Sequence, residues 1–129
     1  MLDQDKLSVY KLALAFRAEV EDVLEKKMAG RANLADQLQR AATSVVLNIA
    51  EGSGRFQKLD KARFYSFAIG SAAECAAVYD ILLTIKVIDS AQYMSVKQKI
   101  VEITAMLTSL RNSLARRSGA RDYVKKAGK

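Results

Sequence analysis

The chain contains 129 residues and no proline, and its apolar residues recur at the three- and four-residue steps of helices. Proline removes a backbone donor and clashes with the preceding turn, so its absence leaves long helices uninterrupted. Alanine, leucine and lysine, which favour helix, are the most frequent residues. Half of the residues are hydrophobic, enough for a core, and the length fits one domain. The sequence therefore predicts an all-α domain.

Apolar periodicity separates four amphipathic segments joined by short connections. The segments are residues 7–27, 33–51, 59–86 and 90–117. Helices with short connections pack best as an antiparallel up-down four-helix bundle. We expect that bundle over residues 1–117 and a short basic C-terminal tail over residues 118–129.

Each segment has an expected inner stripe. In the first it is Val9, Ala13, Phe16, Val20 and Val23, and in the second Leu38, Ala42, Val45 and Ile49. In the third it is Phe64, Phe67, Ala68, Ser71, Cys75, Val78, Leu82 and Ile85. The fourth carries a heptad seam of Tyr93, Val96, Ile100, Ile103, Leu107, Leu110 and Leu114.

Helix boundaries are expected where capping residues precede the apolar stripes. Asn33 and Asp60 are candidate N-caps of the second and third helices, and Asp89 with Ser90 precedes the fourth. Gly30 is expected to stop the first helix.

The second helix also carries a row of short hydrogen-bonding groups opposite its apolar stripe. The row is Arg40, Ser44, Asn48 and Glu51, followed by Gly52 and Gly54, which are expected to end the helix. A plain surface helix would carry interchangeable long polar residues, so this row predicts a protein surface, first of all a subunit interface. A pore or partner site, and polar packing within one chain, are the alternatives.

Several kinds of chemistry are excluded or disfavoured. The chain has no histidine and one cysteine, which argues against a zinc or ferritin-like metal site and against the commonest general base. The Gly52-Ser53-Gly54 turn closes a helix instead of opening one, the wrong polarity for a phosphate loop. Glu51, Glu74 and Asp80 are expected to pair with an arginine or a helix end, with Arg40 the mate of Glu51 or Glu74 within or between subunits. We expect no enzyme activity, cofactor or metal.

Location is inferred from the start of the chain and from its cysteine content. The first residues are polar, and no apolar run is expected to reach the roughly 18 residues of a membrane span. Cys75 lies among alanines and is expected to be a buried small hydrophobe. A single cysteine suits a reducing compartment, so a cytoplasmic protein without membrane association is expected.

The formal charge of +7 is confined to residues 90–129, where nine basic residues face two acidic ones. Such asymmetry favours a polyanionic partner. The candidate nucleic-acid-binding residues are Arg111, Arg116, Arg117, Arg121, Lys125 and Lys126. The alternative is a protein-interaction scaffold that uses the polar row and the small-residue third helix.

The second and third helices carry an ordered motif. Its residues are Gln37, Arg40, Ala41, Ala42, Ser44, Val45, Asn48, Ile49, Ala50, Glu51, Gly52, Gly54 and Arg55, continued by Phe64, Ala68, Gly70, Ser71 and Glu74. This motif resembles that of the four-helix-bundle proteins first noted as reading frames within intervening sequences of bacterial 23S ribosomal RNA genes. Cys75 departs from the larger aliphatic residue usual in that family.

The resemblance implies a ring-like homopentamer of up-down four-helix bundles. It also implies kinship in fold with the accessory proteins of diversity-generating retroelements, which are basic, bind nucleic acid and associate with a reverse transcriptase. The motif is closer to the intervening-sequence branch. A homo-oligomer that binds RNA or DNA is therefore the leading hypothesis, and a reverse-transcriptase accessory subunit without nucleic-acid binding of its own is an alternative.

Overall fold

A computed structural model describes residues 4–118, which form four α-helices. The helices are α1 (Gln4–Lys27), α2 (Ala32–Ser53), α3 (Lys58–Thr84) and α4 (Ser90–Arg117). The all-α prediction is confirmed. The predicted tail from residue 119 onward lies outside the described residues.

The helices pack in a closed cycle. α1 packs against α2 and α4, and α3 packs against the same two helices, so that α4 closes back on α1. Connections of four or five residues oblige consecutive helices to reverse direction. Across the closure, the Lys99 Nζ donates to Glu19 Oε1 at 2.7 Å, which links α4 to α1.

Three of the four expected inner stripes form the core. All five predicted residues of α1 and all four of α2 are buried. On α4, Val96, Ile100, Ile103, Leu107 and Leu114 are buried, while Tyr93 and Leu110 pack against the core from its edge. These helices face water on one side, so their periodicity identifies the buried side.

The stripe expected on α3 is partly wrong. Phe67 and Ile85 are exposed, Phe64 and Ser71 are half-buried, and the large buried residues are two tyrosines. The buried stripe consists of Ala62, Tyr65, Ala68, Ala72, Cys75, Val78, Tyr79 and Leu82. The error has a physical cause: α3 is apolar on nearly all sides, so its spacing does not distinguish the inner face from the outer one.

Two of the three expected N-caps are also wrong. α2 begins one residue before Asn33, with Arg31 at the N-cap, and α3 begins at Lys58, so Asp60 lies in its first turn. At α4 the prediction is confirmed, because Asp89 Oδ1 accepts from Gln92 N at 2.8 Å and Gln92 Oε1 accepts from Asp89 N at 2.9 Å. That reciprocal pair is a capping box.

The predicted burial of Cys75 is confirmed, and it has an electrostatic consequence. Burial, helped by the charge of Glu74, raises the pKa of the Cys75 thiol to about 12. Burial likewise raises the pKa of Tyr79, whose hydroxyl has no hydrogen-bond partner in the described part of the chain. Both side chains are therefore neutral core residues near neutral pH.

Candidate nucleic-acid interface

One end of the bundle brings together the α2–α3 connection and the last residues of α4. An open pocket of about 400 Å³ is lined by Phe56, Gln57, Lys58 and Leu59 from the connection and the start of α3, and by Ser118 after α4. The geometry follows from the up-down order, because the start of α3 and the end of α4 point the same way. We call this region the basic end.

The candidate basic residues are divided between the described part of the chain and the part beyond it. Arg116 and Arg117 occupy the last turn of α4 and are exposed. Arg111 is half-buried one to two turns earlier, with its Nε 3.5 Å from Asn112 Oδ1. Arg121, Lys125 and Lys126 lie outside the described residues.

The structure adds basic residues that the sequence did not assign to nucleic-acid binding, although Arg55 belongs to the ordered motif. Arg55 in the connection and Lys58 and Arg63 in the first turns of α3 are exposed at the basic end. The net charge of successive stretches of sequence does not reveal this group, because the acidic and basic residues of positions 58–89 cancel. These basic residues become neighbours of the end of α4 only in the folded bundle, where the start of α3 lies beside Ser118.

Carboxylates hold the two arginines of the connection and α3 in place. Arg55 Nη2 lies 3.0 Å from Glu51 Oε2, and its Nε lies 3.6 Å from Asp60 Oδ2. Arg63 Nη2 donates to Asp60 Oδ1 at 2.6 Å. Exposed ion pairs contribute little to stability, so the main effect of this set is to fix the guanidinium groups in position.

Aromatic rings lie directly against these guanidinium groups. The Arg55 and Arg63 guanidinium carbons lie over the Phe64 ring, 4.7 Å and 5.0 Å from its centroid. The Phe64 and Phe67 rings meet edge to face with centroids 5.7 Å apart. Phe56 in the connection is fully exposed. The sequence did not indicate these rings as part of a nucleic-acid interface, since Phe64 and Phe67 were expected in the inner stripe of α3.

The two motif glycines serve different purposes. A Cβ at Gly52 would lie 2.8 Å from Tyr65 Cε1, so Gly52 lets α3 approach α2 closely. Beside it, the Ser53 and Tyr65 hydroxyls are 3.2 Å apart. At Gly54, the C-cap of α2, a Cβ would meet only ordinary contacts at 3.7 Å. The helix ends between them, so Gly52 lies inside α2 rather than ending it.

The polar row of α2 makes hydrogen bonds within the chain. The Ser44 and Ser71 hydroxyls are 2.8 Å apart and join α2 to α3, and Asn48 Nδ2 donates to Ser44 Oγ at 2.8 Å. Arg40 pairs with Asp36 at 3.1 Å, so the expected pairing with Glu51 or Glu74 is absent from the described chain. Part of the row borders an open pocket of about 360 Å³ with Gln39, Thr43 and Leu47.

The expected carboxylate partners are only partly present. Glu51 pairs with Arg55, as noted above. Asp80 Oδ1 accepts from the Tyr93 hydroxyl at 2.6 Å and lies 3.8 Å from Lys97 Nζ, so its partners are a tyrosine and a lysine. Glu74 is exposed and makes no ion pair within residues 4–118. No cluster of metal-ligating residues occurs in that part of the chain.

The outward face of α3 is apolar and has no covering element in the described chain. Its exposed residues include Phe67, Gly70, Ala73, Ala77 and Ile81. A Cβ at Gly70 would meet nothing within 4 Å. By length and composition α3 could cross a membrane, which corrects the expectation that no apolar run reaches that length. Four of its six charged residues lie in its first two turns, and after Arg63 its charged residues are Glu74 and Asp80.

Comparison with known proteins assigns the family. Residues 5–109 match the family described as 23S rRNA-intervening sequence protein. The chain belongs to that family. The match ends before Arg111, so the candidate basic residues of α4 and the tail lie beyond it.

A solved structure supports the fold. It is the 1.70 Å crystal structure of a protein of unknown function from the S23 ribosomal protein family of Bacteroides thetaiotaomicron, with a TM-score of 0.77. At 21% identity it covers 84% of this chain and 99% of its own. A search of curated proteins found no significant match.

Proposed function

We propose that this 23S rRNA-intervening sequence family protein is a non-catalytic homo-oligomer that binds RNA or DNA electrostatically at its basic end. The observation that carries the proposal is the convergence of exposed cations from two distant parts of the chain. Around the pocket at that end they are Arg55, Lys58, Arg63, Arg116 and Arg117, against Asp60 and Glu51.

The physical basis is counterion release. Lysine and arginine side chains that neutralise phosphates free the ions condensed on a nucleic acid, which gives affinity with little sequence preference. Arg121, Lys125 and Lys126 extend the basic sequence beyond the described residues and belong to the proposal. The family name and the ribosomal name of the structural neighbour make RNA the first probe.

The test replaces the cations of α4 and the tail with glutamine and measures RNA affinity by fluorescence anisotropy. We expect substitution of Arg116, Arg117, Arg121, Lys125 and Lys126 to remove most of the affinity at low salt. A matched control replaces Lys27 and Lys86, which are exposed beside a pocket at the other end of the bundle. Equal affinity of the five-residue variant and the wild type would contradict the proposal.

Assembly is proposed through the outward face of α3, with a second copy as its occupant. Arg63, Glu74 and Asp80 are exposed along this helix, and charged groups at the centre of a bilayer are costly, so the face suits protein better than lipid. Glu74 requires a cation there, and Arg40 of a neighbouring copy is the proposed partner. The number of subunits, five, comes from the resemblance alone.

The assembly test uses the open space at Gly70. Gly70→Leu adds a side chain that the single bundle accommodates, so we expect unchanged helical content together with loss of the oligomer in sedimentation. Ala91→Leu, at an exposed position near the start of α4, is the control and should sediment as the wild type does. A Gly70→Leu protein that keeps the wild-type sedimentation coefficient would exclude this face.

A protein scaffold is the second candidate, favoured by the same apolar face of α3. In that case a partner such as a reverse transcriptase would occupy the face, and nucleic-acid binding would be absent. The anisotropy experiment separates the two candidates. A cytoplasmic location without membrane association stays a prediction of the sequence.

A further inference from the structure

We propose that the aromatic and arginine cluster of the α2–α3 corner is a base-stacking platform centred on Phe56, so the nucleic acid bound at the basic end is single-stranded. The inference rests on the proposed function and specifies its ligand. The cluster consists of Arg55, Phe56, Arg63 and Phe64, whereas Phe67 lies on the face of α3 that is proposed for a second copy.

Exposure is the first observation. Phe56 is 100% exposed, and Leu59 and Phe67 are each about half exposed near it in sequence. Isolated exposed apolar residues are ordinary, but this one lines a pocket together with Lys58 and with Ser118, next to Arg117. An exposed ring within a set of cations has the composition of a single-strand binding surface, which combines a basic track with stacking aromatics.

Preorganisation is the second observation. Glu51 and Asp60 hold the Arg55 guanidinium, Asp60 also holds that of Arg63, and both guanidinium groups lie over the Phe64 ring. Guanidinium planes and aromatic rings are the surfaces on which unpaired bases stack. Because Arg55 and Arg63 are already fixed, binding would mainly order the exposed Phe56 side chain, which limits the entropic cost.

The choice of a single strand follows from the geometry of bases. In a duplex the bases are stacked on each other, so a protruding phenylalanine reaches a base face only by separating a step of the stack, whereas the bases of a single strand are already accessible. An acidic protein segment could pair with the lysine and arginine side chains but would offer no ring to Phe56. A nucleotide offers both, because its base can stack on Phe56 while its phosphate binds the neighbouring cations. A protein partner is therefore one outcome of the test.

The experiment compares Phe56→Ala and Phe56→Trp with the wild type. The probes are labelled oligouridine and oligothymidine of about 12 nucleotides, within the site sizes of single-strand binders, and an RNA duplex of equal length. For the single strands we expect Phe56→Ala to weaken binding by about 5- to 150-fold, which corresponds to about 1–3 kcal/mol for one stacked base. Duplex affinity and the salt slope should not change.

Phe56→Trp supplies a spectroscopic readout that a structural role would not give. The chain has no tryptophan, so the new indole is the only one, and stacking on a base should quench its fluorescence. Leu47→Ala, at an exposed apolar position on α2 (61% exposed), is the matched control and should bind like the wild type. Comparison of the uridine and thymidine probes distinguishes RNA from DNA.

The outcomes separate the two proposals. If no probe binds the wild type at low salt, the proposed function fails and the stacking platform with it. If the wild type binds but Phe56→Ala keeps its single-strand affinity, or if the duplex binds more tightly, the platform alone is wrong. Unchanged single-strand affinity would leave Phe56 as a contact for a protein partner.

Discussion

Gly52 shows at the scale of one residue how the α2–α3 contact is made. Its missing Cβ lets the Tyr65 ring lie against the backbone of α2, whereas Gly54 has room for a side chain and an ordinary backbone conformation. From the sequence, both glycines were expected to end α2. The motif shows where glycine occurs, but only the structure shows that Gly52 contacts Tyr65 and Gly54 does not.

Gly52→Ala should therefore destabilise the protein, and Gly54→Ala should not. The added methyl forces Tyr65 or the α3 backbone to move, at a cost of about 1–3 kcal/mol, the usual range for overpacking. Gly54→Ala should stay within about 0.5 kcal/mol of the wild type. Urea unfolding followed by circular dichroism measures both. Equal midpoints for the two variants would show that α2 and α3 are not in such close contact.

Cys75 predicts a pH dependence of stability. The unfolded thiol loses its proton near its ordinary pKa, while the folded thiol keeps it until about pH 12. The unfolded state therefore binds fewer protons in between, and stability falls as pH rises, by up to about 1.4 kcal/mol per unit. Below about pH 8 the thiol has no effect on the slope.

Cys75→Ala should flatten this dependence. Burial is the main cause of the raised pKa of Tyr79 and Cys75 only a smaller one, so most of the Tyr79 contribution is common to both proteins and the difference between them reports chiefly on the thiol. The measurement is the free energy of unfolding from urea titrations between about pH 8 and pH 10, the range in which an ordinary thiol titrates. Parallel curves for the two proteins would mean that the thiol is not buried in the folded state.

At the scale of the helix, the sequence predicts an element well when only one of its faces is apolar. α1 and α4 have that property, and their inner stripes are confirmed. α3 is apolar around its circumference, so only the packing of α2 and α4 against it decides which residues are buried. The same property leaves Phe67 and Ile81 outside, on the face proposed for a second copy.

Helix capping gives a prediction at the same scale. Asp89→Ala removes the side chain that accepts a hydrogen bond from the Gln92 backbone N–H in the first turn of α4. The free energy of unfolding should therefore fall by about 1 kcal/mol. Asn33→Ala is the matched control, because Asn33 lies inside α2 and makes no capping hydrogen bond. Thermal unfolding compares them. A loss at Asn33 as large as that at Asp89 would contradict the helix starts described here.

At the scale of the whole molecule, the sequence predicted the bundle and part of the site. The excess charge after residue 90 pointed to Arg116 and Arg117, and the fold places them at an exposed end. Phe56 was not predicted as a binding residue, and Arg55 and Phe64 were expected only as motif residues, because the α2–α3 connection meets the end of α4, about 60 residues away in sequence, only when the bundle closes.

The most direct test of the account is a salt titration of RNA binding by the purified wild-type protein. Fluorescence anisotropy gives the affinity for a single-stranded RNA at several salt concentrations. We predict tight binding at low salt that falls linearly on a log–log plot, with a slope of about 0.7 per phosphate neutralised. Absence of binding at low salt, or an affinity independent of salt, would contradict a nucleic-acid interface at the basic end.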